Sequence, residues 1–161
     1  MIQLIGIIIL ILVFIWLQLK IYVYLWNENL DVELKFESTD MFAGDTGYLK
    51  EVITNDKWLP IPLFHVKFQT SRNLFFDDSK ETQNTDQYYR NDVFGLGKRE
   101  RITRTLSFQV KKRGCYHIKS IDLISGDLFM LTTLRESREC DEFIYVYPQP
   151  YYNKEILHSL Q

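Results

Sequence analysis

The sequence predicts an all-β fold, an immunoglobulin-like antiparallel β-sandwich preceded by one N-terminal transmembrane helix. The first observation behind this prediction is an almost wholly apolar run at residues 2–26. The second is a series of short segments in which apolar and polar residues alternate, separated by Gly, Pro, Asn and Asp turn signals. These segments give about seven or eight strands, the number typical of a sandwich, with a closed barrel as the alternative. The predicted organisation is a transmembrane anchor at 1–27, a sandwich domain at 28–150, and a tail or the start of a missing C-terminal domain at 151–161.

Length and composition limit the possible functions. The 161 residues leave room for one globular domain of ordinary size and an appendage. The formal net charge is -2, so the bulk charge gives no reason to expect a nucleic-acid partner. Aromatic residues make up 15% of the chain, which suits a core built from sheets.

The N-terminal run has the length and composition of a membrane anchor. Only Gln3, Gln18 and Lys20 interrupt its apolar character strongly. At about 1.5 Å of rise per residue, the run is long enough to cross a hydrocarbon core of roughly 30 Å. It lacks the basic n-region and the small-residue cleavage site of a signal peptide, so we expect a retained anchor. A buried core helix is the alternative. The N-terminal run also contains aromatic residues towards its end, some of which suit the membrane interface of a spanning helix. They are Trp16, Tyr22, Tyr24 and Trp26.

The basic residues around the anchor favour a cytoplasmic soluble domain. No Lys or Arg precedes the apolar run, whereas Lys20 and Lys35 lie towards or beyond its end. The positive-inside rule counts basic residues and nearly ignores acidic ones. We therefore expect a single-pass protein of the cell membrane with its C-terminal side in the cytoplasm.

The first half of the soluble part predicts three strands. Residues 30–37 alternate between apolar and charged side chains, as a half-buried strand does. After a turn at 43–45, a second strand is expected at 48–55. The apolar connection 58–62 contains two prolines, which exclude a central strand there because proline cannot donate to the ladder. A third strand follows at 63–70.

The middle of the chain predicts a loop and the longest clean strand. Residues 73–87 are polar and acidic, so we expect a surface loop there, followed by a short strand within 88–96. The long strand covers 99–112. Arg104 falls on its apolar face, and we expect this side chain to reach the edge of the sheet or to pair with an acidic residue.

Residues 113–131 predict a strand, a turn and a second strand. The turn signal is Ser125-Gly126-Asp127, and residues 128–134 are expected to be strand again. Gly114 and Gly126 are the positions at which a positive φ is expected. A charged loop at 135–142, a last strand at 143–147 and a possible helix start at 153–160 complete the prediction.

Basic residues form the densest charge feature of the sequence. The functional interpretation is an interaction patch for anionic lipid headgroups or an acidic protein partner, because a membrane-tethered domain lies close to a negative leaflet. The alternative is a solvated strand face and a hairpin end. The candidate patch consists of Lys98, Arg99, Arg101, Lys111, Lys112 and Arg113.

No catalytic constellation is found, and we expect no enzyme, no metal and no cofactor. Gly95 to Arg99 lacks the second half of a Walker spacing and leads into a strand. His65 and His117 lie on strands and are expected to be ordinary surface or edge residues. Cys115 and Cys140 are expected to be free and buried, a disulfide being possible only in an oxidising compartment.

The order and spacing of several short motifs resemble the N-terminal region of the domain-of-unknown-function 58 family. The membrane anchor opens the chain. Three segments are similar to the family's acidic turn, strand and proline connection. They are Phe-Ala-Gly-Asp at 42–45, Val-Ile-Thr-Asn at 52–55 and Leu-Pro-Ile-Pro-Leu at 59–63. Further along, Arg113-Gly114-Cys115-Tyr116 resembles its Arg-Gly-X-Tyr junction. The matching positions that we expect to be structurally important are Gly114, Tyr116, Gly126, Asp127 and Pro148.

The resemblance covers nearly the whole chain but has departures. Residues 125–131 are similar to the family's Asp-Pro-Phe-Gly-Leu segment, although Leu128 replaces its Pro and Met130 its Gly. Val146-Tyr147-Pro148 resembles the end of the family's sandwich. The von Willebrand factor A-like domain of the family, with its Asp-X-Ser-X-Ser metal motif, is not found in this sequence.

Two functions remain in view at this point. The resemblance implies a non-enzymatic, membrane-anchored protein-interaction module that works with a MoxR-type AAA+ ATPase in a membrane-associated chaperone or assembly system. The alternative is an extracytoplasmic carbohydrate- or envelope-binding sandwich, an analogy at the level of the fold. That alternative would use the aromatic side chains Tyr88, Tyr89, Tyr151 and Tyr152.

Overall fold

The computed structural model describes residues 2–71, 73–76, 81–84 and 87–150, with residues 81–84, 87 and 88 described by their backbone only. Within these residues, one helix precedes ten strands. The elements in chain order are α1 Ile2–Leu25, β1 Leu30–Phe36, β2 Asp40–Phe42, β3 Thr46–Asn55, β4 Ile61–Ser71, β5 Leu74–Phe76, β6 Glu81–Asn84, β7 Gln87–Leu96, β8 Glu100–Val110, β9 Gly114–Gly126 and β10 Thr133–Tyr147.

The strands form two sheets that pack face to face. The four-stranded sheet has the order β1-β3-β8-β5, and the six-stranded sheet has the order β2-β10-β9-β4-β7-β6. The fold is therefore an immunoglobulin-like β-sandwich preceded by one apolar helix, and the predicted fold class is confirmed. One pair departs from the antiparallel prediction, because the short edge strand β2 runs parallel to β10.

The core lies between the two sheets, where period-two alternation places the apolar side chains. Along β1, Leu30 to Phe36 alternate strictly between buried and exposed, because every second side chain faces the other sheet. Phe108 is completely buried near the middle of this core. Its ring meets the edges of Phe36 and Phe76 at centroid distances of 5.5 and 5.8 Å. Such edge-to-face contacts stabilise the core beyond the area that the rings bury.

The sandwich has two ends, which face in opposite directions along the strands. We call the loops 56–60, 97–99 and 127–132 the helix end, because the chain enters the sandwich there from α1. We call the turns 43–45 and 111–113 the far end. The strand registers fix this division: Asn55 pairs with Glu100 and with Leu30 at the helix end, and Gly114 pairs with Val146 at the far end.

Two predictions for the last third of the chain are wrong. Residues 128–132, predicted as strand, form the loop between β9 and β10. Residues 135–142, predicted as a charged loop, belong to β10, which pairs with β9 across a β-bulge between Glu139 and Glu142. Charged side chains occupy both faces of β10 in this stretch, so the sequence there shows no apolar alternation.

The predicted surface loop at 73–87 contains strand structure as well. Leu74 and Phe76 of β5 are buried against the core, and β6 pairs with β7 at the edge of the larger sheet. The predicted strand at 88–96 is confirmed as part of β7. Residues 72, 77–80 and 85–86 and the possible helix start at 153–160 lie outside the described residues.

Candidate interaction surfaces

The last two turns of α1 pack against the helix end of the sandwich. Gln18, Tyr22 and Trp26 follow one another at intervals of four residues and therefore share one face. All three are buried, with exposed fractions of 7%, 4% and 6%. Most of the remaining helix is exposed, and it is long and apolar enough to cross a membrane, a property that signal sequences share.

Hydrogen bonds join α1 and the segment after it to two loops of the sandwich. The Gln18 side-chain amide donates to Asp127 Oδ2 at 2.8 Å, and the Tyr22 hydroxyl donates to the carbonyl of Pro60 at 3.1 Å. The Lys57 ammonium donates to the carbonyls of Trp26 and Glu28. Burial lowers the pKa of Lys57 to about 8. The junction thus satisfies most of the polar groups that the packing removes from water, although Gln18 Oε1 is buried without a hydrogen-bond partner among the described residues.

Asp127 organises the loop that receives the helix. Its carboxylate is fully buried, and it also accepts hydrogen bonds from the backbone amides of Thr132 at 2.6 Å and Phe129 at 3.2 Å. Burial alone would raise the pKa of Asp127, but the bonds from Gln18 and the backbone amides outweigh it and lower the pKa below its ordinary value. Gly126 has no positive φ, and the left-handed residue of this loop is Met130, with a φ of 56°.

The other positions singled out by the resemblance lie mostly at the far end. Tyr116 is buried, and its hydroxyl donates to the carbonyl of Lys112 at 2.7 Å, which closes the turn between β8 and β9. Gly114, in the same turn, has a φ of 156°, so its predicted positive φ is confirmed. Pro148 is exposed and directly follows β10.

The six basic residues of the candidate patch are all exposed, but the structure does not bring them together. Lys98, Arg99 and Arg101 lie at the helix end, where β8 begins. The other three lie at the far end, where β8 finishes, and they are Lys111, Lys112 and Arg113. Because β8 has 11 residues, its two ends are about 33 Å apart at about 3.3 Å per residue. The two groups are close in the sequence but far apart in the structure, because the strand between them is extended.

An exposed row of aromatic side chains runs along the outer face of β10, and the sequence analysis missed it. We call this row the aromatic strip; it consists of Phe42, His117, Phe143, Tyr145 and Tyr147. The four aromatic side chains other than His117 have exposed fractions of 42–50%. Neighbouring rings are in contact, with centroid distances of 5.4 Å for Phe143–Tyr145, 6.2 Å for His117–Phe143 and 6.3 Å for Phe42–Tyr147. The signal in the sequence is the alternation of Phe143, Tyr145 and Tyr147 with the buried Ile144 and Val146.

The aromatic residues proposed for carbohydrate binding do not form a described site. Tyr89 is 45% exposed on β7, which is separated from β10 by two strands. The side chains of Tyr88, Tyr151 and Tyr152 lie outside the described residues.

A charged cluster lies between the sheets. Asp92 on β7 is fully buried and accepts from Arg90 at 2.6 Å and from Arg104 on β8 at 2.8 Å. The prediction that Arg104 pairs with an acidic residue is therefore confirmed. Glu51 is also buried, and its carboxylate has no hydrogen-bond partner among the described residues. Burial, together with the nearby Asp92 charge, raises the pKa of Glu51 to about 8.

The remaining candidates for chemistry are scattered. His65 contacts Asn91, and His117 contacts Asp141, each through a single hydrogen bond. Within the described part of the chain, no three His, Cys, Asp or Glu residues are grouped as a metal site requires. Cys115 and Cys140 are free thiols. The predicted burial is wrong for Cys115, which is exposed because it lies on the outer face of β9 opposite Tyr145.

Comparisons with known proteins concern the sandwich. No family model and no curated protein matches the chain. Among solved structures, the chain is similar to a CARDB domain from Pyrococcus furiosus, solved in complex with di-metal ions, with 14% identity over 74% of this chain and 90% of that one and a TM-score of 0.46. It is also similar to a non-cellulosomal cohesin from Archaeoglobus fulgidus, with 12% identity over 80% and 97% of the two chains and a TM-score of 0.45. A PapD-like domain of human CEP192 is 9% identical over 73% and 87% of the chains, with a TM-score of 0.40. What these proteins share with the chain is the fold.

Proposed function

We propose that this chain is a non-enzymatic, membrane-anchored protein-interaction module, in which α1 spans the bilayer and the sandwich presents a docking surface. The observation that carries the proposal is the junction between the two. Gln18, Tyr22 and Trp26 are buried by the sandwich, while most of the preceding helix is exposed and apolar. The exposed, apolar N-terminal part of the helix suits a lipid environment, and its buried C-terminal part suits contact with protein.

The junction also favours a retained anchor over a removable signal sequence. Removal of α1 would uncover the buried carboxylate of Asp127, which accepts from Gln18, and the carbonyl of Pro60, which accepts from Tyr22. It would also expose the surface of the sandwich against which the buried Tyr22 packs. Each of these hydrogen bonds contributes about 0.5–1.5 kcal/mol, or about 1.5–3 kcal/mol where a charged group takes part, because water replaces the lost partner. The sandwich is therefore most stable with its helix attached.

The aromatic strip is the surface on which we place the protein partner. Tyr and Phe are enriched in the cores of protein interfaces, because they bury a large area at a small cost in side-chain entropy. The strip lies on the outer face of the larger sheet next to its edge strand β2, and its side chains already contact one another. The resemblance of the sequence supports a MoxR-type AAA+ ATPase as the partner, and the basic residues around the anchor favour a soluble domain that faces the cytoplasm.

Co-purification from detergent extracts tests this function. The full chain should retain a MoxR-type ATPase, and the double variant Phe143→Ser/Tyr145→Ser should lose most of it. The matched control is Tyr89→Ser/Val93→Ser, because Tyr89 and Val93 are similarly exposed on β7 of the same sheet. Equal retention by both double variants, or no retention of this ATPase by the parent chain, would contradict the proposed partner or its site.

A carbohydrate- or envelope-binding function is the second candidate, because exposed rings can also stack against sugars. It predicts that the parent chain binds envelope polysaccharides and that Phe143→Ser/Tyr145→Ser does not. It also requires the sandwich to lie outside the cytoplasm. Protease accessibility in intact cells and in inverted vesicles distinguishes the two candidates, since the sandwich is digested only on the side that faces the protease.

A further inference from the structure

We propose that the loop between β9 and β10 is a second membrane contact, in which Leu128, Phe129, Met130 and Leu131 insert into the leaflet next to the C-terminal end of α1. This inference rests on the proposed function, in which α1 spans the bilayer. It adds that the sandwich touches the lipid directly and has a fixed orientation on the membrane.

The loop exposes an apolar surface that water would not favour. Leu128, Phe129, Met130 and Leu131 are four consecutive apolar residues with exposed fractions of 46%, 50%, 59% and 62%. Hairpin loops in water usually carry polar and turn-forming residues instead. Trp58, in the neighbouring loop of the helix end, is 75% exposed. The helix end thus presents an apolar surface on two of its loops.

The structure of the loop holds these side chains outwards. Asp127 anchors it by accepting bonds from the amides of Phe129 and Thr132, and the Met130 amide donates to the Asp127 carbonyl at 3.0 Å. Met130 adopts a left-handed conformation with a φ of 56°. A methionine rarely adopts this conformation. The polar backbone groups are therefore turned inwards around Asp127, while the apolar side chains point away.

The contact between Gln18 and Asp127 gives the depth of the loop. A hydrocarbon core of about 30 Å is filled by about 20 helical residues at 1.5 Å each, so a core that begins at Ile2 ends near Ile21. Gln18 then lies about 5 Å inside the boundary, and Asp127 is hydrogen-bonded to it. The residues that directly follow Asp127 lie close to this boundary. Trp58 follows Lys57, which binds the carbonyl of Trp26 beyond the end of α1, so the indole is placed at headgroup level, where Trp is enriched.

Lipid is the occupant that these positions favour. The loop lies beside α1, because Asp127 accepts from Gln18, and Leu17 and Ile21 on the neighbouring turns of the helix are exposed and apolar. In the proposed arrangement, a water-soluble partner at the loop would compete with lipid for this space. Lys98 and Arg99 lie at the same end and suit headgroup phosphates, but Glu28, Asp56 and Glu100 are exposed there as well. The charges at this end nearly balance, so we expect the insertion to need only zwitterionic lipid.

An environment-sensitive probe on the loop tests the insertion in the full chain. The variant Leu131→Cys, in a Cys115→Ser/Cys140→Ser background, is labelled with NBD and reconstituted in phosphatidylcholine vesicles with and without acyl-chain doxyl lipids. Two control positions give the probe signals expected in water and in the hydrocarbon core. The native Cys115, labelled in a Cys140→Ser chain, lies on the first residues of β9 at the far end and should report water. Val13→Cys, in the same cysteine-free background, lies on the exposed part of α1 and should report the hydrocarbon core.

The expected result is a blue-shifted Leu131 probe that doxyl lipids quench several-fold more than the Cys115 probe. A quenched Val13 probe together with a Leu131 probe that behaves like the Cys115 probe would overturn the insertion and leave the anchor intact. A Leu131 probe that is shielded from water but not quenched by lipid would also overturn it, because a second copy or another protein would then cover the loop. A Val13 probe that stays in water would overturn the anchor and the insertion together.

Discussion

The side-chain amide of Gln18 donates a 2.8 Å hydrogen bond to the carboxylate of Asp127, 109 residues further along the chain, and both side chains are buried. This bond ties a helix that carries few other polar residues to the loop between β9 and β10. It marks the position along α1 from which the helix packs against the sandwich.

Asp127→Ala should destabilise the sandwich by about 1–3 kcal/mol, because it leaves the Gln18 amide and the amides of Phe129 and Thr132 without an acceptor in a buried position. The measurement is chemical denaturation of the full chain in mild detergent, followed by tryptophan fluorescence. Asp31→Ala, at an exposed position of β1, is the control and should unfold like the parent. Identical midpoints for the two variants would mean that Asp127 does not hold the loop.

Gly47→Ala should destabilise the fold, whereas Gly126→Ala should be tolerated. A Cβ atom at Gly47 would approach Cζ of the fully buried Phe108 to 2.5 Å, and Phe108 cannot retreat from a packed core. Such overpacking typically costs about 1–3 kcal/mol. A Cβ atom at Gly126 would meet its nearest neighbour, Met130 Cα, at an ordinary 3.6 Å.

The thermal midpoints of the two glycine variants check this difference. The sequence predicts a positive φ, and therefore sensitivity to substitution, at both Gly114 and Gly126, and Gly126 does not have it. A lower midpoint for Gly126→Ala than for Gly47→Ala would restore that expectation and contradict the packing around Phe108.

Glu51→Gln should stabilise the protein in alkaline solution and have little effect in acid. The pKa of Glu51 is raised to about 8 by burial in the folded state, while it stays near its ordinary value in the unfolded chain. Between these two values the folded state binds more protons, so its stability falls as the pH rises, by about 1.4 kcal/mol for each pH unit at most. The amide of Gln carries no charge at any pH and removes this loss.

Denaturation of the parent chain and of Glu51→Gln at pH 5 and pH 8.5 measures the effect. The gap between the two proteins should widen at the higher pH in favour of the variant. Glu33→Gln, at an exposed position of β1, is the control and should show no such pH-dependent gain. A Glu51→Gln variant that loses stability at pH 8.5 would show that the Glu51 carboxylate is stabilised by the nearby Arg104 charge.

Strands with a regular alternation of apolar and polar residues were predicted correctly. The prediction was wrong where charged residues interrupt this alternation, as in β10. Along β1 the alternation from Leu30 to Phe36 gave the strand directly. In β10, the side chains of Glu136 and Arg138 lie on the core side. Arg138 Nε donates a hydrogen bond to Glu136 Oε1 at 3.1 Å, and Arg138 also donates to the carbonyl of Leu30. A pair of this kind allows a charged stretch to form a strand, and no local pattern indicates it.

The interaction surfaces were harder to predict than the fold, because they depend on which residues tertiary structure brings together. The six basic residues were grouped by their closeness in sequence, and an extended strand separates them. The apolar run 128–131 was assigned to a strand because its composition suits a core. The bond from Gln18 to Asp127 shows that this run lies beside the helix.

The rigid junction has a mechanical consequence. The bonds of Gln18 and Tyr22 join α1 to two different loops, and Lys57 bonds the segment that follows α1, so the helix and the sandwich should move together. A helix tilts when the thickness of its bilayer changes. The 15 residues of β10 span about 45 Å at about 3.3 Å each, so if α1 crosses the bilayer as proposed, a tilt of about 10° would displace the far end by up to about 8 Å relative to the helix end. The protein would then convert membrane thickness into the position of Tyr147 and of whatever is bound beside it.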